Sequence, residues 1–276
     1  MSPHTKGLAL ASRRRAPGCA ICAIMMAATL FAVLPTGGAT DPPRAARVDT
    51  ALIMSVDVSG SVDDRRYRLQ MGGIARALVD PEVVKAIVSG PNAAILFSVV
   101  TWADRPRMAL PWVRISNQRQ AETVAAMVGA LPRVGGDFTC MAGLLRYLAD
   151  KVVPQIPAMA TRLVIDVSGD GRENCNPEEP VAAIRDELTG AKTTINGLPI
   201  LEGREADTLE AWYRQNVKGG PGAFVLPASG YEDFGRAIRK KFVTEISQSI
   251  ARGAIDISRL VEVDGAVSAD KPEQSR

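Results

Sequence analysis

The chain is almost without histidine. Of its 276 residues only His4 is one, close to the N-terminus. That excludes Ser-His-Asp and Cys-His catalysis from the body of the protein, because both need an imidazole base. Zinc sites built on histidine are excluded for the same reason. Cysteine is sparse: Cys19 and Cys22 fall in the N-terminal stretch, which leaves Cys140 and Cys175. No lysine-bearing phosphate loop is present, and there is no internal repeat. A strong charge of one sign is also lacking. Lys6, Arg13, Arg14 and Arg15 are the charged residues before residue 40, so the net charge of +3 becomes −1 without them. A near-neutral body does not point to nucleic acid as a partner.

What is present begins with an export signal over residues 1–39. A basic region ends at Arg15, an apolar stretch runs from Ala16 to Leu34, and Pro35, Gly37, Gly38 and Ala39 supply a small-residue cleavage site near Ala39. The protein is therefore expected to be exported, periplasmic or secreted. The alternative is an uncleaved anchor, since the apolar stretch is about long enough to span a bilayer; membrane contact is expected only in that case. Residues 40–47 read as a linker and residues 253–276 as a polar, partly disordered tail. Between them lies room for one globular domain of roughly 200 residues.

The domain is organised around Val48–Ser61. An apolar run, Ala51–Val56, ends in Asp57, Ser59 and Ser61. The run is short and suits a buried parallel strand. A carboxylate and two hydroxyls follow its carboxyl end, where open α/β sheets bind ligands. Taken alone, these residues are equally well read as a solvated polar turn.

Farther along, strand and helix patterns alternate. Tyr67, Met71, Ile74 and Leu78 give a helix within Asp63–Asp80, with Asp63 and Asp64 at its N-terminus and Arg65, Arg66 and Arg68 on a solvated face. Ala93–Thr101 is a second strand, and Met108–Ile115, with Pro111 inside it, is an antiparallel edge strand. Asn117 and Gln120 open a helix. A Gly-rich loop, R-V-G-G-D-F-T-C at Arg133–Cys140, leads to a helix burying Leu144, Leu145, Leu148 and Val152. Arg162–Val167 is a strand ending in S-G-D-G. Asn176-Pro177-Glu178-Glu179 reads as a helix start, Thr193–Ile200 as a strand, and Asp207 as the opening of a helix with Leu209 and Tyr213. Ala223–Leu226 is expected to be a last strand, and Ser229 to cap a long helix to Ile250. The pattern predicts an α/β, Rossmann-like, doubly wound and mainly parallel sheet with one antiparallel edge strand and helices on both faces. Trp102, Trp112 and Trp212 are read as core. Asp166, inside a strand, is either a supporting carboxylate of the site or a strand-end residue.

Three loops can then converge. Asp57, Ser59 and Ser61 follow one strand, Thr139 follows the Gly-rich loop, and Asp170 follows another strand. These are hard oxygen donors and suit Mg²⁺, with Mn²⁺ or Ca²⁺ accepted by the same set. The motifs D-V-S-G-S at Asp57–Ser61, G-G-D-F-T at Gly135–Thr139 and S-G-D-G at Ser168–Gly171 resemble those of the von Willebrand factor A domain with its metal-ion-dependent adhesion site. The resemblance covers Val48–Ile250. With the export signal, it looks like a bacterial branch of secreted A-domain proteins classed as a domain of unknown function. It implies that Ser59, Ser61 and Thr139 coordinate a divalent cation, with Asp57 and Asp170 close by, directly or through water. The chain departs from the common pattern in S-G-D-G, where many relatives have T-D-G, and in Asp137-Phe138, where small residues are usual.

If the loops meet at an ion, Cys140 and Cys175 become neighbours and pair as a disulfide, which an exported chain permits. The function expected from all this is a non-enzymatic module that binds a divalent cation and, through it, a carboxylate of a protein partner. The alternative is a metal-assisted phosphoester or ester hydrolase using Asp57. A third reading is an A domain that serves only as a scaffold.

Overall fold

The computed structural model describes residues 47–175 and 177–248. The stretches read from the sequence as an export signal, most of a linker and a C-terminal tail lie outside them. The first strand, β1 (Arg47–Asp57), is longer than its apolar run and buried along almost its whole length. Its neighbours are β2 (Ile95–Trp102), β3 (Arg107–Ile115), β4 (Met159–Gly169) and β5 (Thr194–Pro199), in the order β3-β2-β1-β4-β5. β1 pairs in parallel with both β2 and β4, β5 pairs in parallel with β4, and β3 runs antiparallel to β2 at the edge. Pro111 lies on this edge strand, where a missing N–H is tolerated.

Side chains alternate across β1. Leu52, Met54 and Val56 enter a core closed by α1 (Asp64–Leu78), α2 (Pro81–Val88), α3 (Gln118–Gly129) and a final helix, α7 (residues 234–248). Ile53, together with Val100, Ile165 and Ile195, enters a second core under α4 (Met141–Tyr147), α5 (Val181–Gly190) and α6 (Ala206–Asn216). Burial on both faces explains why these strands read as continuous apolar runs. Trp102 is fully buried, while Trp112 and Trp212 pack at the margins of the second core.

Several local expectations are corrected. α5 begins at Val181, not beside Pro177, and its N-cap residue is Pro180. A helix opened at Pro177 would need an N–H from Pro180 to the carbonyl four residues back, and proline has none; Asn176 itself is outside the described residues. The segment expected as a last strand makes only an isolated parallel bridge to β5, Gly197 with Val225, and a second, Ile200 with Ala228, falls just beyond both. α7 is entered through a 3₁₀ turn, Tyr231–Asp233, behind Gly230. Ser229 does not cap it; its N–H donates to the Asp233 carboxylate at 3.0 Å.

The order of the sheet reverses at β1, with β2 on one side and β4 on the other. The crevice beyond the carboxyl ends of β1 and β4 is thus the topological switch point, the usual ligand site in such sheets.

Candidate functional site

Asp57 closes β1. Its Oδ1 accepts from the Ser59 N–H at 2.7 Å, a tight turn that places Ser59 above the strand end. The Asp57 carbonyl accepts from Gln70 Nε2 of α1 at 3.2 Å, which fixes the strand end to the helix. Asp63 caps α1 by accepting from the Arg66 N–H at 2.8 Å, so the short loop between strand and helix is held at both ends.

All the residues expected at the site come together. Ser59 Oγ and Ser61 Oγ are 3.3 Å apart, and Ser61 Oγ donates to Asp170 Oδ1 at 2.6 Å. The Gly-rich loop approaches closely: a side chain at Gly60 would begin 3.1 Å from the Asp137 carbonyl. A Cβ at Gly171 would lie 3.3 Å from Thr139 Oγ1, so the glycine brings the loop after β4 against that hydroxyl. Asp57, Ser59, Thr139 and Asp170 are buried, whereas Ser61 is exposed. The donors therefore form a cup that opens to solvent at its rim.

Cys140 and Cys175 are joined by a disulfide with Cα atoms 5.2 Å apart. The bond ties the loop carrying Thr139 to the loop beyond Asp170. Asn174 works in the same place: its Oδ1 accepts from the Thr139 N–H at 2.7 Å, and its own N–H donates to the Thr139 carbonyl at 3.2 Å. Helix α4 starts just after, at Met141, with Cys140 as its cap residue and no side-chain cap. Glu173 serves as a substitute, accepting from the Ala142 N–H at 2.7 Å.

Residues not singled out in the sequence complete the surroundings. Asp104, after β2, accepts from the N–H groups of Asp137 and Phe138 and so braces the Thr139 loop. Arg66 is not on a merely solvated face: it donates to the Ser61 carbonyl and pairs with Glu202 at 2.8 Å. Glu202 also accepts from the Tyr231 N–H at 3.1 Å. A cleft of about 560 Å³ lies over the cup, lined by Ser61, Thr139 and Asp170 together with Arg66, Arg172 and Arg204. Asp166 is neither beside the cup nor at a strand end; it lies buried in mid-strand against Lys241 of α7.

The electrostatics are those of two acidic side chains set close together in a buried place. Burial, and then the negative charge of Asp170, push Asp57 up to about 7 from its ordinary 3.8. Asp57 Oδ2 is buried and accepts no hydrogen bond. Burial, with the same two carboxylates adding to it, pushes the Tyr213 and Tyr231 hydroxyls well above their ordinary values, so both stay neutral. Among the described residues no group of three His, Cys, Asp or Glu side chains gathers; the donor set is rich in hydroxyls. Such a set, with an orphaned carboxylate oxygen, fits a hard divalent cation.

Known proteins share the fold. The model of the family described as protein of unknown function (DUF1194) matches residues 47–250. No curated protein matches the sequence. Solved structures share the fold. Proximal thread matrix protein 1 from the mussel byssus superposes with a TM-score of 0.54 at 16% identity, over 74% of this chain and 47% of that one. The same mussel protein with a zinc-occupied MIDAS motif gives 0.51 at 16% identity, over 70% and 44%. A von Willebrand factor type A protein from Catenulispora acidiphila gives 0.51 at 16% identity, over 74% and 43%. The chain thus spans less than half the length of each of these structures.

Proposed function

The chain belongs to the DUF1194 family of proteins of unknown function, and on that footing we propose that it is an exported, non-enzymatic von Willebrand factor A-like module. It holds a divalent cation at Asp57, Ser59, Ser61, Thr139 and Asp170, and through that ion binds a carboxylate of a protein partner. The observation that carries the reading is the convergence of three separate loops on one cup, with Ser61 Oγ 2.6 Å from Asp170 Oδ1. The zinc-occupied MIDAS motif of the mussel protein supports a divalent ion at this place in the fold. Mg²⁺ is the expected ion, because it favours about six oxygens and keeps waters that an outside ligand can replace.

Charge explains the acidic partner. The three hydroxyls are neutral, so Asp57 and Asp170 alone offset the ion, and an incoming carboxylate is a better ligand than water. The cleft itself adds no sign preference, because Arg66, Arg172 and Arg204 are matched in its lining by Asp170, Glu202 and Glu205. The hydrolase alternative needs Asp57 to reach a substrate. Its complete burial and the engagement of its Oδ1 by Ser59 count against that role. Export is supported by the Cys140–Cys175 disulfide, which suits an oxidising compartment. Among the described residues no helix is long and apolar enough to cross a membrane.

The test is calorimetric titration of chelator-treated protein with Mg²⁺ and Mn²⁺. One site is expected, lost in Ser59→Ala and in Thr139→Ala with the circular dichroism unchanged. Capture of an acidic partner from periplasmic extract should then require the ion and fail in EDTA. A folded protein that takes up neither ion would refute the reading.

A further inference from the structure

Away from the cup, one other cluster of charged side chains is wholly shut off from solvent: Asp166, Lys241 and Glu245, each with no exposed surface. Asp166 sits in the middle of β4, level with Asn196 on β5 and Met54 on β1. Lys241 and Glu245 lie one turn apart on α7. Lys241 Nζ is 3.2 Å from Asp166 Oδ1 and 3.1 Å from Glu245 Oε1. Asn196 Nδ2 donates to the same Glu245 oxygen at 2.7 Å, which fixes that carboxylate between amide and amine. The ring of Phe224 covers the amine at 4.5 Å. Despite the approach of Lys241, neither oxygen of Asp166 accepts a hydrogen bond.

As an ion network this is a costly arrangement. Two carboxylates and an ammonium are held there without water, and taking each of these charges out of water is strongly disfavoured. Burial, then the charge of Glu245, push the Asp166 carboxyl well above the usual carboxylate range, towards the neutral acid. An amine held 3.2 Å from a carboxyl group driven towards its neutral acid, with a second carboxylate 3.1 Å away to take its proton, is a set of reactants and not merely a salt bridge.

We propose that Lys241 and Asp166 condense into an intramolecular amide, with Glu245 taking the ammonium proton. The lone pair of Lys241 Nζ attacks Cγ of the protonated Asp166, and an N–C bond forms. Glu245, 3.1 Å from the nitrogen, takes and keeps the ammonium proton that frees this lone pair, and a second nitrogen proton passes to the departing hydroxyl. The C–O bond breaks, and one water leaves. No oxidant, reductant or cofactor is needed. The fold supplies what the uncatalysed condensation lacks: a fixed encounter between reactants, a positioned acid–base group and a dry cavity that protects the product from hydrolysis. The product replaces charges with a neutral amide. It also bonds the central sheet to α7, closing a loop over residues 167–240 that contains Asp170 and Cys175.

Intact-mass spectrometry of the exported protein decides the matter. The mass should fall below that of the processed sequence by one water, beyond the hydrogens lost to the disulfide. Fragmentation should yield a branched peptide joining Asp166 to Lys241. Glu245→Gln and Lys241→Arg should each restore the missing water with helical circular dichroism retained; if either fails to fold, the wild-type mass still decides. A folded wild-type protein at full mass, or a water loss mapped to other residues, would overturn the proposal and leave a buried ion network.

Discussion

Ser61 and Asp170 are separated by 109 residues, yet Ser61 Oγ donates to Asp170 Oδ1 at 2.6 Å. This bond closes the loop after β1 onto the loop after β4. It also spends the serine proton on a carboxylate and leaves the oxygen lone pairs for a cation. Asp170→Asn keeps an acceptor for Ser61 but removes one of the two negative charges in the cup. Its cation affinity is expected to fall at least about tenfold, equivalent to ~1.4 kcal/mol, with an unchanged melting temperature in chelator. Equal Mn²⁺ affinities for Asp170→Asn and wild type would show that the carboxylate is not part of the ion's surroundings.

The disulfide sets the second expectation. Cys140 and Cys175 close a loop with a sequence separation of 35. By loop entropy the bond stabilises the protein by roughly 3–4 kcal/mol. It also holds Thr139 and Asn174 in register. Reduction, or Cys140→Ser with Cys175→Ser, should lower the unfolding free energy from urea titration by that amount, with a lower midpoint, and weaken cation binding in the still-folded protein. A midpoint indifferent to reductant would mean that the surrounding hydrogen bonds alone hold the loops.

The three motifs of the cup were legible because each is local. Apolar runs ending in Asp57 and Asp170, and a Gly-rich loop before Thr139, announce themselves within a few residues. The five strands of the sheet followed from the same alternation, including the antiparallel edge marked by Pro111, but the alternation also suggested a sixth at Ala223–Leu226 that makes only an isolated bridge. The braces were not legible. Asp104 meets Phe138 at a separation of 34 residues, and Arg66 meets Glu202 at 136, and nothing in the local pattern of either pair distinguishes it from ordinary surface charge. The buried network left one unused sign. Lys241 and Glu245 fall in the same stripe of α7 as Ile238, Phe242 and Ile246, where charges do not normally belong. Asn176-Pro177-Glu178-Glu179 has the residues of a helix start, but Pro180 lacks the N–H that its first turn needs, and α5 begins at Val181.

A pH effect is expected at Asp80. It caps α2 by accepting from the Glu82 N–H at 3.0 Å, and it accepts from Arg239 Nε of α7 at 2.6 Å. The Arg239 hydrogen bond first, and the Glu82 N–H after it, hold Asp80 below its ordinary 3.8. A depressed carboxylate stabilises the fold above the unfolded pKa, and the contribution is lost as pH falls through the folded value. Asp80→Ala should therefore be less stable than wild type at neutral pH by about 0.5–2 kcal/mol, mostly as a lost cap. The gap should narrow only below pH 3.8. A gap that stays constant down to the acid transition would remove the ionised carboxylate from the explanation.

Gly169 gives the sharpest test of how tightly the floor of the cup is built. A Cβ there would lie 2.7 Å from Asp57 Oδ2 and 3.0 Å from the Tyr213 hydroxyl. Both neighbours are fully buried, so neither can swing into solvent. Gly169→Ala must push the carboxylate away from the strand end or distort β4, at a cost of about 1–3 kcal/mol, and cation affinity should fall with it. Gly129, at the end of α3, is the control: a Cβ there meets nothing within 4 Å. Gly129→Ala should leave cation binding alone and add about 0.4–1 kcal/mol of stability by restricting the unfolded chain. Thermal melts and Mn²⁺ titrations of the two variants side by side measure both effects. If Gly169→Ala binds Mn²⁺ as wild type does, Asp57 Oδ2 is not positioned by this contact, and the floor is softer than the distances imply.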